Sequence, residues 1–145
     1  MATMFHFSEA ASLALHAMVY VACQDGDVVK VREMAAAFRA SDAHMGKVCQ
    51  RLTRCGLLTA HRGVYGGFTL GRSARRIRLL EVYVAIEGPV VLSPCLFRNR
   101  SCREHPKHDC IFGRKIMAFE EEFMRYLKTT TLASIAAVSD LRKAT

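Results

Sequence analysis

The chain contains no tryptophan and only three prolines, and its 13 acidic residues are outnumbered by 21 lysines and arginines. So little proline leaves helices free to run, because proline is the residue that most strongly breaks them. Nowhere do apolar residues continue for the roughly 18 positions a membrane helix needs, so no membrane partner is expected. The apolar run LALHAMVYVAC has no Lys or Arg ahead of it, is broken by His16, and lacks a small-residue cleavage site. It is expected to be a helix of the mature protein rather than an export signal. No internal repeat and no low-complexity segment occurs. No nucleophile, base and orienting group recur in a catalytic arrangement, so an enzyme is not expected.

What is present is apolar bulk, positive charge and six cysteines. With 51% hydrophobic residues in 145 positions, the chain can bury the core of one domain. A chain of this size needs no disulfide staples, and without an export signal its cysteines fit a reducing cytoplasm. Between Lys30 and Arg78 there are 11 Lys and Arg against only Glu33 and Asp42, whereas residues 81–145 hold ten basic against eight acidic. An excess of one sign confined to one stretch points to a polyanion, and a solvated basic face is the plainer alternative.

Along the chain, Ser8 is placed to cap a buried helix over residues 8–24 that carries Glu9, Ser12, His16, Tyr20 and Cys23 on one side. From spacing alone, His16 is more often a packed histidine than a ligand. Val28 to Val31 is either a short edge strand or the lead into a second helix, VREMAAAFRA. A turn at Ala40 to Asp42 then opens a third helix, capped by Ser41 or Asp42 and stopped at Gly56. Two short helices across a tight turn make a helix-turn-helix. The third is two-sided. Met45, Val48, Cys49 and Leu52 recur at core spacing, with Cys49 and Cys55 expected as packed thiols. On the opposite side stand His44, Lys47, Arg51 and Arg54. A face made only of hydrogen-bond donors suits phosphate oxygens and the acceptor-rich edge of guanine.

GLLTAHRGVYGGFTLGR follows, with strand-like pieces at Leu57 to Thr59 and Phe68 to Leu70 around a loop holding Gly63, Gly66 and Gly67. A hairpin directly after a helix-turn-helix is a wing, with His61, Arg62 and Tyr65 at its tip. The glycines do not form a nucleotide-binding loop, since no Gly-Lys-Ser/Thr follows. A short helix, LLEVYVAIEG, ends at Gly88 and Pro89. Later, from about 112 to 128, Phe112, Ile116, Phe119, Phe123 and Leu127 form a stripe with Met117 and Met124 beside it. Such a helix serves either as a dimer interface or as a docked element of its own domain. TLASIAAVSDL is expected to add a last short helix.

Between these helices lies CLFRNRSCREHPKHDC, which sets Cys95, Cys102 and Cys110 in one hydrophilic segment beside Arg98, Arg100, Arg103 and Lys107. Nearby positive charge lowers thiol pKa values and favours the metal-binding thiolate. Four readings stay open on spacing alone. They are an iron-sulfur cluster held by three thiolates and one further ligand, zinc held by Cys102, His105, His108 and Cys110, a reversible disulfide sensor, and a cysteine-rich surface loop.

Taken in order, LALHAMVYVA, KVCQRLTRCGLLTAHRGVYGGFTL, IRLLEVYVAIEG, the three cysteines and CIFGRKIMAFEEEFMRYL resemble the winged-helix family of iron-sulfur regulators typified by IscR and NsrR. The resemblance spans essentially the whole chain. It implies a mainly α fold with a small β-wing. A winged helix-turn-helix domain over 1–88 would be followed by a cluster-binding loop over 89–111 and a dimerisation helix and tail over 112–145, as a single compact unit.

The function implied is that of a homodimeric, DNA-binding transcriptional regulator. Its hold on a palindromic double-stranded operator would be controlled by a 2Fe-2S or 4Fe-4S cluster sensing iron, redox state or nitric oxide. Cys95, Cys102 and Cys110 take the ligand role. The spacing between them is longer than in the best-known members, and Gly113 replaces a histidine found in IscR-like proteins. In some relatives the fourth ligand comes from the first helix. Ser12 stands where the acid of those relatives would be, and His16 matches their histidine, with Glu9, His105 and His108 behind it. Ser41, His44 and Lys47 are then expected at base edges, and Arg51, Arg62 and Tyr65 at the DNA backbone or minor groove, with Arg54 and His61 completing the surface. A cluster-free thiol or zinc regulator and an iron-sulfur carrier remain as alternatives, and the carrier leaves the basic face unexplained.

Overall fold

The computed structural model describes residues 7–91, 111–139 and 141; for 111 and 112 it describes the backbone alone. Ser8 caps α1 (Glu9–Ala22), its hydroxyl oxygen accepting the Ala11 amide at 3.0 Å. Ala11, Ala14 and Ala17 have no exposed surface, and Leu13, Met18, Val19 and Val21 are buried with them. So many methyl-sized side chains let neighbours approach closely, and α1 packs against four other elements of the domain.

The second and third helices, α2 (Val31–Ala37) and α3 (Asp42–Arg54), meet across a turn in which Arg39 adopts a positive φ of 53°. Ser41 caps α3 by accepting the His44 amide at 3.1 Å. Met45, Val48, Cys49 and Leu52 are buried, so the expected core stripe of this helix is the observed one. Cys55 differs from expectation. It is exposed, because the helix stops at Arg54 and the chain reverses at Gly56 with φ 69°, which takes Cys55 off the stripe.

The wing is a two-stranded antiparallel hairpin of β1 (Leu58–His61) and β2 (Gly67–Leu70), with Leu58 opposite Leu70 and His61 opposite Gly67. Val29 adds an isolated bridge to its inner edge, exchanging both backbone hydrogen bonds with Phe68 at 2.8 and 2.9 Å. A side chain on Gly67 would sit 2.4 Å from the Val29 carbonyl oxygen, so glycine there is what admits the bridge. After a 3-10 turn at Ala74–Arg76 comes α4 (Leu79–Glu87), ended by Gly88 with φ 83°.

The C-terminal part returns to the same core. The helix α5 (Ile111–Thr129) buries Leu127 and half-buries Phe123, whose ring lies 5.7 Å from Phe7. Farther from that end, Phe119 keeps 46% of its surface exposed, so the apolar stripe is docked at its C-terminal end and open in its middle. Next, α6 (Leu132–Ala136) packs on α1. The backbone beside it is stitched to the lead-in of α4, with Leu132 N–H donating to Ile77 O at 2.8 Å and Leu79 N–H to Thr130 O at 3.1 Å. Gln24, buried at the end of α1, donates to Leu141 O at 2.9 Å. The fold is a mainly helical winged helix-turn-helix with a small wing, as expected. Among the described residues no helix is long and apolar enough to cross a membrane.

Because Leu132 is wholly buried among α1 and Ile77, Leu132→Ala is expected to cost about 2–5 kcal/mol in urea unfolding. A loss below about 1 kcal/mol would show that the tail stands outside the cooperative core.

Candidate nucleic-acid interface and the histidine of the first helix

On α3 the side away from the core carries Ser41 at the cap and then His44, Lys47, Arg51 and Arg54; all but the half-buried His44 are exposed. No acidic side chain follows Asp42 on this helix, and Asp42 itself lies 3.8 Å from Arg32 of α2. Basic residues continue onto the wing and beyond it. Arg62, Val64 and Tyr65 project from the hairpin loop, the last two 87% exposed. His61 is held at the end of β1, its Nε2 2.9 Å from Thr69 Oγ1. Arg75 and Arg76 are exposed on the 3-10 turn. The structure therefore gathers Ser41, His44, Lys47 and Arg54 along one helix, and His61, Arg62 and Tyr65 on the hairpin whose first strand packs on that helix.

Two of these side chains also make contacts that spacing does not reveal. His44 Nδ1 lies 3.7 Å from Glu9 Oε1, joining the start of α3 to the start of α1. The Arg51 guanidinium, expected at the DNA backbone, donates to the carbonyl oxygen of Ile86 in the last turn of α4. Both partners are more than 30 positions away in sequence, so no local pattern could have found them.

His16 is exposed on the one side of α1 that its neighbours leave open. Its ring packs edge-on to Phe38, with centroids 5.3 Å apart, and Nδ1 lies 2.7 Å from the carbonyl oxygen of Ser12. A carbonyl only accepts, so Nδ1 carries the proton and the neutral ring presents its lone pair at Nε2. Ligating histidines are commonly oriented by a backbone acceptor on the other nitrogen. His16 borders a pocket of about 280 Å3 that it shares with Glu9, Ser12 and Phe38. It also borders a second of about 390 Å3, whose apolar lining includes Phe123 and Tyr126 of α5.

Cys95, Cys102, His105, His108 and Cys110 lie outside the described residues. Among the described residues, no three His, Cys, Asp or Glu side chains converge as a metal site. Cys49 is unsuited to ligation, since burial pushes its thiol up to about 11 and keeps it protonated.

Residues 7–138 match the family model described as Rrf2, iron-dependent transcriptional regulator. A protein of Aquifex aeolicus (strain VF5), named as a candidate HTH-type transcriptional regulator, is 24% identical over 134 residues, covering 92% of this chain and 93% of that one. Among solved structures, CymR (YrzC), the global cysteine regulator of B. subtilis, superposes with a TM-score of 0.73 at 23% identity, covering 94% of this chain and all of its own. IscR of T. potens superposes with a TM-score of 0.70 at 18% identity, covering 98% and 94%.

If Arg62 meets a phosphate, Arg62→Gln should weaken binding to every duplex similarly and make the slope of log affinity against log salt shallower by about 0.9. An unchanged slope would remove Arg62 from the interface.

Proposed function

Because this chain belongs to the Rrf2 family of transcriptional regulators, we propose that it acts as a homodimer on a roughly palindromic operator, and that an iron-sulfur cluster sets how tightly it binds. The observation that carries the DNA half of this reading is the exposed face of α3, which from His44 to Arg54 offers basic side chains and the neutral Gln50 but no carboxylate, beside a basic wing. Laid in a major groove, such a helix meets guanine N7 and O6 and the flanking phosphates. Ser41, His44 and Lys47 are assigned to base edges. Arg54, His61, Arg62 and Tyr65 are assigned to the sugar-phosphate backbone or minor groove. Ser41 accepts the His44 amide, so its hydroxyl proton is the part left to reach DNA.

The cluster half rests on the donor set. Cys95, Cys102 and Cys110 would supply three thiolates, and His16 Nε2 the fourth ligand, because its other nitrogen is already committed to Ser12. Glu9 stands two turns away on the same helix with one carboxylate oxygen beside His44, which makes it the second choice on α1. His105 and His108 follow. A bound cluster supplies a centre that changes charge and integrity with iron supply, oxidants or nitric oxide. The protein's own part is to hold two arrangements of the DNA-binding elements and to bind operator better in one of them, since a ligand shifts an equilibrium only by its differential affinity.

Protein purified without oxygen is expected to show visible iron-sulfur absorbance that Cys102→Ala abolishes and His16→Ala weakens or shifts. A colourless wild type that still binds DNA would move the reading to a cluster-free thiol or zinc regulator. A coloured protein without sequence preference for DNA would move it to a cluster carrier.

A further inference from the structure

Three elements are pinned together at the C-terminal end of α4. Ser8, which caps α1 by accepting the Ala11 amide, donates its hydroxyl proton to Glu87 Oε1. Arg51, in the last turn of α3, donates to the carbonyl of Ile86. The last carbonyls of a helix lack partners within it and carry the negative end of its dipole, so a guanidinium there is well matched. Directly after Glu87 the chain turns at Gly88 with φ 83° and continues in sequence through Pro89 towards Cys95. Ser8 is likewise followed at once by Glu9 and α1, the helix that presents His16.

We propose that the end of α4 is the junction through which the state of the cysteine segment reaches the recognition helix, with Arg51 as the positioning residue that makes the connection. This rests on the reading that cysteine-segment chemistry controls DNA binding, and it gives Arg51 a different role from a phosphate contact. Both arms of the ligand set lead to this one place: the three cysteines through α4, and His16 through α1 and Ser8. A displacement of Ile86 draws on the Arg51 guanidinium, which lies one turn from both Lys47 and Arg54, and so re-aims the face that meets DNA. Coupling here runs through named hydrogen bonds between packed helices rather than through mere proximity. Arg51→Lys keeps a cation and a donor for the carbonyl, whereas Arg51→Gln loses the charge.

The test uses the full chain prepared without oxygen, both with its chromophore and after chelation removes it. The probe is a labelled duplex selected from a random pool by the wild-type protein, titrated at several salt concentrations. Wild-type protein should bind it with affinities that differ about 5–150-fold between the two forms. In Arg51→Gln that ratio should fall to within about twofold of unity while the salt slope stays at the wild-type value, and Arg51→Lys should restore part of the ratio. Glu87→Ala, which removes the Ser8 acceptor and leaves α3 untouched, should also lower the ratio, and it carries the test if Arg51→Gln folds poorly.

A residue that only held the fold together would lower both affinities and leave their ratio intact. That result in both variants overturns the proposal. A wild-type ratio with a slope shallower by about 0.9 in Arg51→Gln would also overturn it and make Arg51 a phosphate contact. Wild-type forms that bind equally would overturn the underlying reading, and this inference with it.

Discussion

The rest of the molecule depends on how closely other elements can approach α1. Alanines at 11, 14 and 17 leave the helix thin enough for α3, α4, α6 and β2 to pack on it together. Because nearly every side of α1 is covered, the little that stays open is conspicuous. Glu9 and His16 are exposed there, beside the half-buried Ser12, and His16 has its Nδ1 already committed to the backbone. A helix that organises the core thus also presents the one described imidazole oriented as a ligand would be. The same packing places its N-terminus against α4 and, through Glu9, against His44 at the start of α3.

Charge is arranged with the same economy. On α3 the apolar side meets the core, and from His44 onward the opposite side carries basic side chains and the neutral Gln50, so attraction to a polyanion is not offset by a carboxylate on that stretch of the helix. Of the acids near this surface, Glu9 lies 3.7 Å from His44 at its edge, and two others are engaged with basic groups off the outer face of α3. Asp42 lies beside Arg32, and Glu81 pairs with Arg72 while accepting the Arg78 amide at the start of α4. Positive charge on α3 and the wing is therefore left facing solvent by pairing as well as by composition.

Much of this was legible in the sequence wherever the information was local. The stripe of Met45, Val48, Cys49 and Leu52, the cap at Ser41 and the stops at Gly56 and Gly88 are properties of neighbouring residues, and they lie where spacing placed them. The hairpin was placed correctly but its first strand extends to His61 rather than Thr59, because the reversal is set by Gly63, with φ 101°, and by the tight approach at Gly66. The end of α2 rests on Arg39 in a positive-φ conformation, for which an arginine gives no signal. The stripe on α5 was found, but which part of it docks depends on Phe7, more than 100 positions away. The links from Arg51 to Ile86, Ser8 to Glu87 and Glu9 to His44 belong to the same class. Periodicity identifies a face, and only the fold identifies what that face touches.

The proposed binding to a palindromic operator requires two copies of α3 held at a fixed separation and entering successive major grooves. A hydroxyl-radical footprint on a duplex selected by the protein addresses this directly. Two protected patches on one side of the helix, centred about 10 base pairs apart, are expected, because a two-fold dimer repeats its contacts once per helical turn. A single protected patch, or protection that is the same on duplexes of unrelated sequence, would contradict it.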